Sequence, residues 1–231
     1  RDGKLILDES DAYGVEMALQ LAAANGGGDV NIVSMAPNGE MSGMRTALAM
    51  GAAKGVLISD PALAGSDALT TAKVLAAAIQ KMGSADLIIA ATESSDGYTG
   101  TVPEQMAEVL GLPSVTFAKK LTINGSSLKA DRQTEEGYDE VECPLPAVIS
   151  VTAGVVEPRY PSFKGIMAAK SKPIDTFTAG DLGVTPTGWA GAGQKIVAVT
   201  QAEARQAGEV IEDDGNAFNK IVSFLENLKA I

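Results

Sequence analysis

Between Asp11 and Ile166 the hydrophobic period switches repeatedly between helical and strand-like, and this alternation limits the possible folds more than any other feature of the chain. Ser10 and Asp11 supply an N-cap for a helix carrying Val15, Ala18, Leu19 and Ala22, which stops at Asn25-Gly26-Gly27-Gly28. Val30 to Met35 then reads as a buried strand. The spacing predicts a helix from Met41 to Met50, a strand at Val56-Leu57-Ile58, and a long alanine-rich helix from Ser66 to Met82 ended by Gly83. Leu87 to Ala91 is short, wholly apolar and bounded by Asp86 and Thr92, as expected of a strand buried on both faces. Strands alternating with crossover-length helices predict an α/β fold, a parallel twisted sheet with helices on both faces. Ligands in such sheets bind beyond the carboxyl ends of the strands, so the loop after Ala91 is the first place to look.

Beyond Pro113 the texture becomes β-branched: Val115 to Ile123, a turn at Asn124-Gly125, Leu128 to Gln133, then Val141 and Val148 to Val151. The Asn-Gly pair predicts a β-hairpin, because both central residues tolerate positive φ. Pro186 to Ala192 reads as a Gly-rich linker, which sets a domain of residues 1–185 apart from a C-terminal arm of residues 186–231. The arm ends in a helix from about Ala217 to Leu228, whose Phe218, Ile221, Val222, Leu225 and Leu228 form one apolar stripe. That stripe suits packing on another body, or folding back on its own domain.

Composition narrows the chemistry. The sequence has no histidine, which excludes Ser-His-Asp and Cys-His nucleophiles and histidine metal ligands. Its single Cys143 excludes an internal disulfide framework and a cysteine-cluster zinc site. With 18 Lys and Arg against 29 Asp and Glu the net charge is −11, so the chain lacks the basic face that nucleic acid or an anionic membrane surface requires. No apolar run reaches the roughly 18 residues needed to cross a bilayer. The expectation is a cytoplasmic protein, not an enzyme, that binds something without acid-base chemistry.

Two segments are candidates for that binding. Ala91-Thr92-Glu93-Ser94-Ser95-Asp96-Gly97-Tyr98-Thr99-Gly100-Thr101-Val102 leaves a buried strand and runs into a helix with Pro103 in its first turn. Free amides at a helix N-terminus attract phosphate, glycines let a backbone come close, and Ser94, Ser95, Thr99 and Thr101 add hydroxyl donors. The loop is neither a Walker lysine loop nor a G-x-G-x-x-G fingerprint; it suits a nucleotide phosphate, or is an ordinary βα connection. The second segment, Glu157 to Lys172, interleaves Tyr160, Pro161, Phe163, Ile166 and Met167 with the cations Arg159, Lys164, Lys170 and Lys172. It suits a docking surface, or a buried Phe163 under a solvated basic face.

Arg45-Thr46-Ala47-Leu48-Ala49-Met50-Gly51-Ala52, the Asp96 loop, Leu145-Pro146-Ala147-Val148, Glu157-Pro158-Arg159-Tyr160 and Gly165-Ile166-Met167-Ala168-Ala169-Lys170, in this order, resemble the β subunit of electron transfer flavoprotein. The resemblance covers nearly the whole chain, and Pro161-Ser162-Phe163-Lys164-Gly165 is most similar to the actinobacterial branch. It implies a Rossmann-like sheet of the adenine nucleotide alpha hydrolase kind, in a heterodimer with an α subunit that carries most of the FAD site. Such heterodimers carry electrons from flavoprotein dehydrogenases, including the acyl-CoA dehydrogenases of fatty acid β-oxidation, to a membrane quinone reductase.

The resemblance further implies a structural AMP held by Asp8, Asp11, Met35 and the loop from Ala91 to Val102. It implies dehydrogenase docking through Arg159, Tyr160, Pro161, Phe163, Lys164, Ile166, Met167 and Lys170, with Phe163 where the family usually has leucine. Phe218, Ile221, Val222, Leu225 and Leu228 would contact the α subunit. The family opens with a strand that nothing before Arg1 matches, so a missing leading strand is expected. Two alternatives remain: an electron-bifurcating member with a second FAD in place of AMP, suggested by Asp96-Gly97-x-Thr99 although Tyr98 departs from that pattern, and a universal-stress-type nucleotide-binding homodimer.

Overall fold

The computed structural model describes residues 5–36, 38–204 and 208–231; the expectation attached to Arg1 lies outside them. The chain divides into two compact units, Arg1–Lys195 and Ile196–Ile231.

In the first unit, α1 (Glu9–Ala24) leads to β1 (Asn31–Met35), α2 (Ser42–Met50), β2 (Lys54–Ile58), α3 (Ala68–Met82), β3 (Leu87–Ala91) and α4 (Val102–Leu110). The antiparallel β4 (Ser114–Asn124), β5 (Ser127–Gln133) and β6 (Tyr138–Pro144) follow, then β7 (Ala147–Val151), α5 (Phe163–Ala169), β8 (Ile174–Phe177) and the short α6 (Gly188–Gly191). The strands form two sheets: a parallel one in the order β1-β2-β8, and a mixed one in the order β3-β7-β4-β5-β6, in which β7 runs parallel to both β3 and β4.

The side-chain alternation that defines a strand also fixes its layers. Val33, Met35, Val56 and Ile58 point into a core with Val74 and Ala78 of α3, whereas Leu57 and Ile32 face Met44 of α2. Likewise Ile88 and Val148 meet α3 and α4, while Leu87, Ile89, Ile149 and Val151 share a core with Met17 and Leu21 of α1. Helices therefore cover both faces, with α1 and α2 on one and α3 and α4 on the other.

Several local expectations are corrected. The cap of α1 is Asp8, whose Oδ1 accepts from the Ser10 amide at 2.8 Å, so Ser10 and Asp11 are already helical. Asn124 pairs with Ser127, which leaves Gly125 and Ser126 as the turn; only Gly125 takes positive φ, at 61°. The hydrophobic pattern predicts no strand at Ile174–Phe177, because four residues between a helix and a loop carry almost no periodic signal; pairing with β2 creates it.

Pro186–Ala192, which has the composition of a linker, is bonded to the body. Thr187 Oγ1 donates to Ala62 O at 3.3 Å, the Trp189 amide to Ala64 O at 3.0 Å, and the Gly188 amide to Ser66 Oγ at 3.1 Å. Trp189 lies against Gly65, where any side chain would collide with the indole. The first compact unit includes this segment and runs to Lys195.

Asp67 closes this contact. Its Oδ1 accepts from the Thr70 amide at 2.9 Å as the cap of α3, and its Oδ2 accepts from the Gly193 amide at 2.8 Å. These bonds, the one from Thr70 first, hold its carboxyl below the usual carboxylate range. A depressed acid stabilises the fold above its unfolded value of about 3.9 and loses that contribution as pH falls through the folded value. Asp67→Ala is therefore expected to cost about 1 to 2 kcal/mol at neutral pH in urea titrations, with the difference from wild type shrinking at acid pH.

The second unit holds α7 (Ala217–Asn227), whose Phe218, Ile221, Val222 and Leu228 are exposed while Leu225 is half-buried. Among the described residues no helix is long and apolar enough to cross a membrane.

Candidate functional site

Two surfaces of the first unit carry the residues singled out in the sequence, and α1 touches both. At one, the parallel β3 and β7 end at Ala91 and Val151, and Thr92 Oγ1 donates to Val151 O at 3.0 Å as the chain leaves the sheet. The loop then folds on itself: Ser94 O accepts from the Tyr98 amide at 3.0 Å, and Ser94 Oγ accepts from the Gly97 amide at 3.2 Å. Tyr98 takes φ 49° and Gly100 φ 61°. A positive φ is uncommon for a tyrosine, and it turns a side chain that is 69% exposed outward from the loop. Glu93 through Thr99, together with Thr101, are exposed, and Gly100 and Val102 are partly covered.

The loop delivers the chain into α4, whose N-cap Thr101 makes no side-chain cap bond. Its first-turn amides are thus not taken up by a side chain, as they are in α1 and α3. Glu104 Oε2 and Gln105 Oε1 in that same turn are buried without a hydrogen-bond partner. Burying an acceptor unpaired costs about 1 to 3 kcal/mol.

The first turn of α1 approaches the same strand ends. Gly14 lies against Ile89, Ala90 and Val151, with a Cβ position 3.7 Å from Ile89 Cγ2, which brings the preceding turn, with Asp8 and Asp11, to the carboxyl end of β3. Asp11 keeps an open face to solvent, yet crowding by the surrounding protein, and then the Asp8 carboxylate, push its carboxyl up to about 6. Met35 ends β1, in the other sheet, with its side chain in the α3 core.

The second surface is α5 and the chain leading to it. Tyr160 is 93% and Phe163 81% exposed, with Ile166 at 47% and Met167 at 50% on the same short helix. Lys164 and Lys170 are exposed as well, and Pro161 is half-buried. Arg159 is joined to α1. Its Nε donates to Glu16 Oε2 at 2.6 Å and an Nη to Oε1 at 2.9 Å, and Gln20 Nε2 donates to the same Oε1 at 2.8 Å. Glu16 is 3% exposed, whereas the Arg159 side chain remains 47% exposed. Burial pushes the Glu16 carboxyl up, but the bonds from Arg159 and Gln20 outweigh it and leave the group below its ordinary range.

The other end of the segment is fixed to α2 by reciprocal caps. Arg45 donates to Ala169 O and to Lys172 O, both at 2.7 Å, and Lys172 Nζ donates to Leu48 O at 2.9 Å and Ala52 O at 2.6 Å. Of the four cations in Glu157–Lys172, then, Arg159 and Lys172 hold the segment in place, and Lys164 and Lys170 face solvent. Sequence reasoning misses Glu16 and the capping roles of Arg45 and Lys172. The signal for Glu16 is a carboxylate among Gly14, Val15, Met17 and Leu21, all of which prove to be buried.

A family model described as Electron transfer flavoprotein domain matches residues 1–182. The chain belongs to this family. It is similar to Electron transfer flavoprotein subunit beta of Mycobacterium tuberculosis (strain ATCC 25618 / H37Rv), at 42% identity over 98% of this chain and 87% of that one. The subunit beta of Thermoanaerobacterium thermosaccharolyticum is 35% identical over 97% of this chain and 86% of its own length. The Caffeyl-CoA reductase-Etf complex subunit CarD of Acetobacterium woodii is 36% identical over 78% of this chain and 69% of that subunit. As a β subunit of electron transfer flavoprotein the chain is an electron-carrier subunit, and the α/β architecture expected from its hydrophobic period is the observed one. A universal-stress-type homodimer is thereby set aside.

Proposed function

We propose that this β subunit pairs with an electron transfer flavoprotein α subunit, holds AMP at the Ala91–Val102 loop, and receives flavoprotein dehydrogenases on α5. Through it, electrons taken from acyl-CoA dehydrogenases of fatty acid β-oxidation would pass to a membrane quinone reductase. The observation that carries the docking part is the α5 face, where Tyr160, Phe163, Ile166 and Met167 stay exposed while both flanks of their segment are bonded to the body. An exposed aromatic cluster that costs little conformational entropy to immobilise is what an interface anchor requires. Lys164 and Lys170 give this face a local positive charge in a chain of net charge −11, which favours encounter with an acidic partner.

The nucleotide reading rests on the ends of the site differing in charge. Two carboxylates, Asp8 and Asp11, repel a phosphate and suit ribose hydroxyls or an amino group, whereas the α4 amides without a side-chain cap suit the phosphate. FAD, bound mainly by the α subunit, supplies the redox chemistry; this chain positions and shields it and needs no general base, in keeping with its lack of histidine. The exposed stripe of α7 and Leu225 would be the α-subunit contact.

Purifying the heterodimer, releasing its nucleotides with acid and identifying them by mass tests the assignment. AMP and FAD in equal amounts are expected. Two FAD per heterodimer would replace AMP by a second flavin, as in a bifurcating member, and FAD with no second adenine nucleotide would overturn the loop assignment.

A further inference from the structure

We infer that the Glu16–Arg159 pair is a positioning clamp that fixes the docking segment on α1, setting the place and angle from which Phe163 and Tyr160 meet a partner. The inference rests on the docking role proposed for α5. Arg159 stands immediately before Tyr160 and is joined to α1 by three bonds to one carboxylate, its own amide donating to Glu16 Oε2 at 3.3 Å besides the two guanidinium bonds. The partners are 143 residues apart in sequence, so the pair ties a remote segment rather than finishing a local turn. Gln20, one turn along α1, donates to the same Oε1 that receives the Arg159 Nη and adds a fourth bond to the carboxylate.

The remaining anchors lie at the far end of the segment, at Arg45 and Lys172. Between the two ends the chain passes through Pro161, which stiffens it without bonding it to the body. Without the clamp, Glu157–Ser162 would be held only by its two ends, Val155 and Val156 on the core and α5 on α2, and Tyr160, which is 93% exposed, has no packing to hold it. Binding a partner would then require that stretch to be ordered at the moment of docking, an entropic cost that appears in the encounter and not in the electron-transfer step.

The test uses the αβ heterodimer with an acyl-CoA dehydrogenase of the same organism, reduced by octanoyl-CoA, and follows steady-state reduction of the bound flavin. Arg159→Met is expected to raise the heterodimer's KM about tenfold with kcat within about twofold and nucleotide and flavin content unchanged. Glu16→Gln should raise KM similarly, and the double variant should be no worse than the worse single, since all three break one interaction. Arg159→Lys, which keeps one charged bond, should recover most of the loss.

A KM change in Arg159→Met that Glu16→Gln does not reproduce, with additive effects in the double variant, would mean that Arg159 touches the partner directly and would overturn the clamp. Phe163→Ala serves as the control: if it raises KM while the clamp variants leave it unchanged, the clamp is refuted and docking stands. If Phe163→Ala and the clamp variants all leave KM unchanged, the docking reading itself fails. If Arg159→Met does not accumulate as folded heterodimer, Glu16→Gln combined with Arg159→Gln removes both charges together and is judged by the same KM shift.

Discussion

Replacing Gly165 by valine is expected to destabilise the first unit by about 3 kcal/mol, a fall in Tm of roughly 6 to 12 °C. On helix propensity alone the exchange should be favourable, since valine is a better helix former than glycine. The opposite sign is expected because α5 lies so close to α2 that a Cβ on Gly165 would overlap the carbonyl oxygen of Ala49 in the last turn of α2, and a backbone oxygen has no rotamer to retreat into. The whole of α5 would have to move out. That displacement would pull Ala169 O and Lys172 O from Arg45, and Lys172 Nζ from Leu48 O and Ala52 O. Ala168→Val, at an exposed position of the same helix, is the control and should change stability by less than about 1 kcal/mol. Thermal unfolding of the purified heterodimer, watched by far-ultraviolet circular dichroism, measures both. A Gly165→Val protein as stable as wild type would mean that α5 is not seated closely on α2.

The close seat of α5 also marks how far sequence reasoning reaches. Elements with an unambiguous local pattern are legible: Leu87–Ala91 is a strand at the predicted residues because five consecutive apolar positions between polar ends have few alternatives, although it proves to be an edge strand, mostly half-buried, rather than one buried on both faces. The loop that follows it is singled out for a related reason, since ligands of parallel sheets bind beyond the carboxyl ends of the strands. What stays hidden depends on contacts between distant segments. Ile174–Phe177 becomes a strand only because β2 offers it a parallel edge. Pro186–Ala192 has the composition of a linker and is held by Ala62, Ala64 and Ser66, residues more than a hundred positions earlier. Arg159 and Lys164 look alike in a list of cations, yet one is bonded to a carboxylate on the first helix and the other faces water. Charge can be counted from sequence; whether a charge is already engaged requires the fold.

Phe163→Ala is expected to lower kcat/KM for dehydrogenase-driven reduction by about 30-fold, with almost all of the loss in KM. The ring stands at the first position of α5, and Ser162 Oγ, accepting from the Gly165 amide at 3.0 Å, fixes the turn from which it projects. With 81% of its surface exposed it makes little contact within this chain, so its removal should change stability by no more than about 0.5 kcal/mol. That separation of effects decides the interpretation. A buried core phenylalanine lost to alanine costs about 3 to 5 kcal/mol, and a purely solvated one costs nothing in either assay. Only a residue that buries itself in a partner loses coupling while the protein keeps its stability, its nucleotide and its flavin. The neighbouring cations offer an internal comparison: removing the charge of Lys164 or Lys170 should slow association in a salt-dependent way, whereas the Phe163 effect should persist at high ionic strength because it is apolar. Equal kcat/KM for Phe163→Ala and wild type would remove α5 as the dehydrogenase anchor, and with it any functional reason for Arg159 and Lys172 to hold the segment so firmly in place.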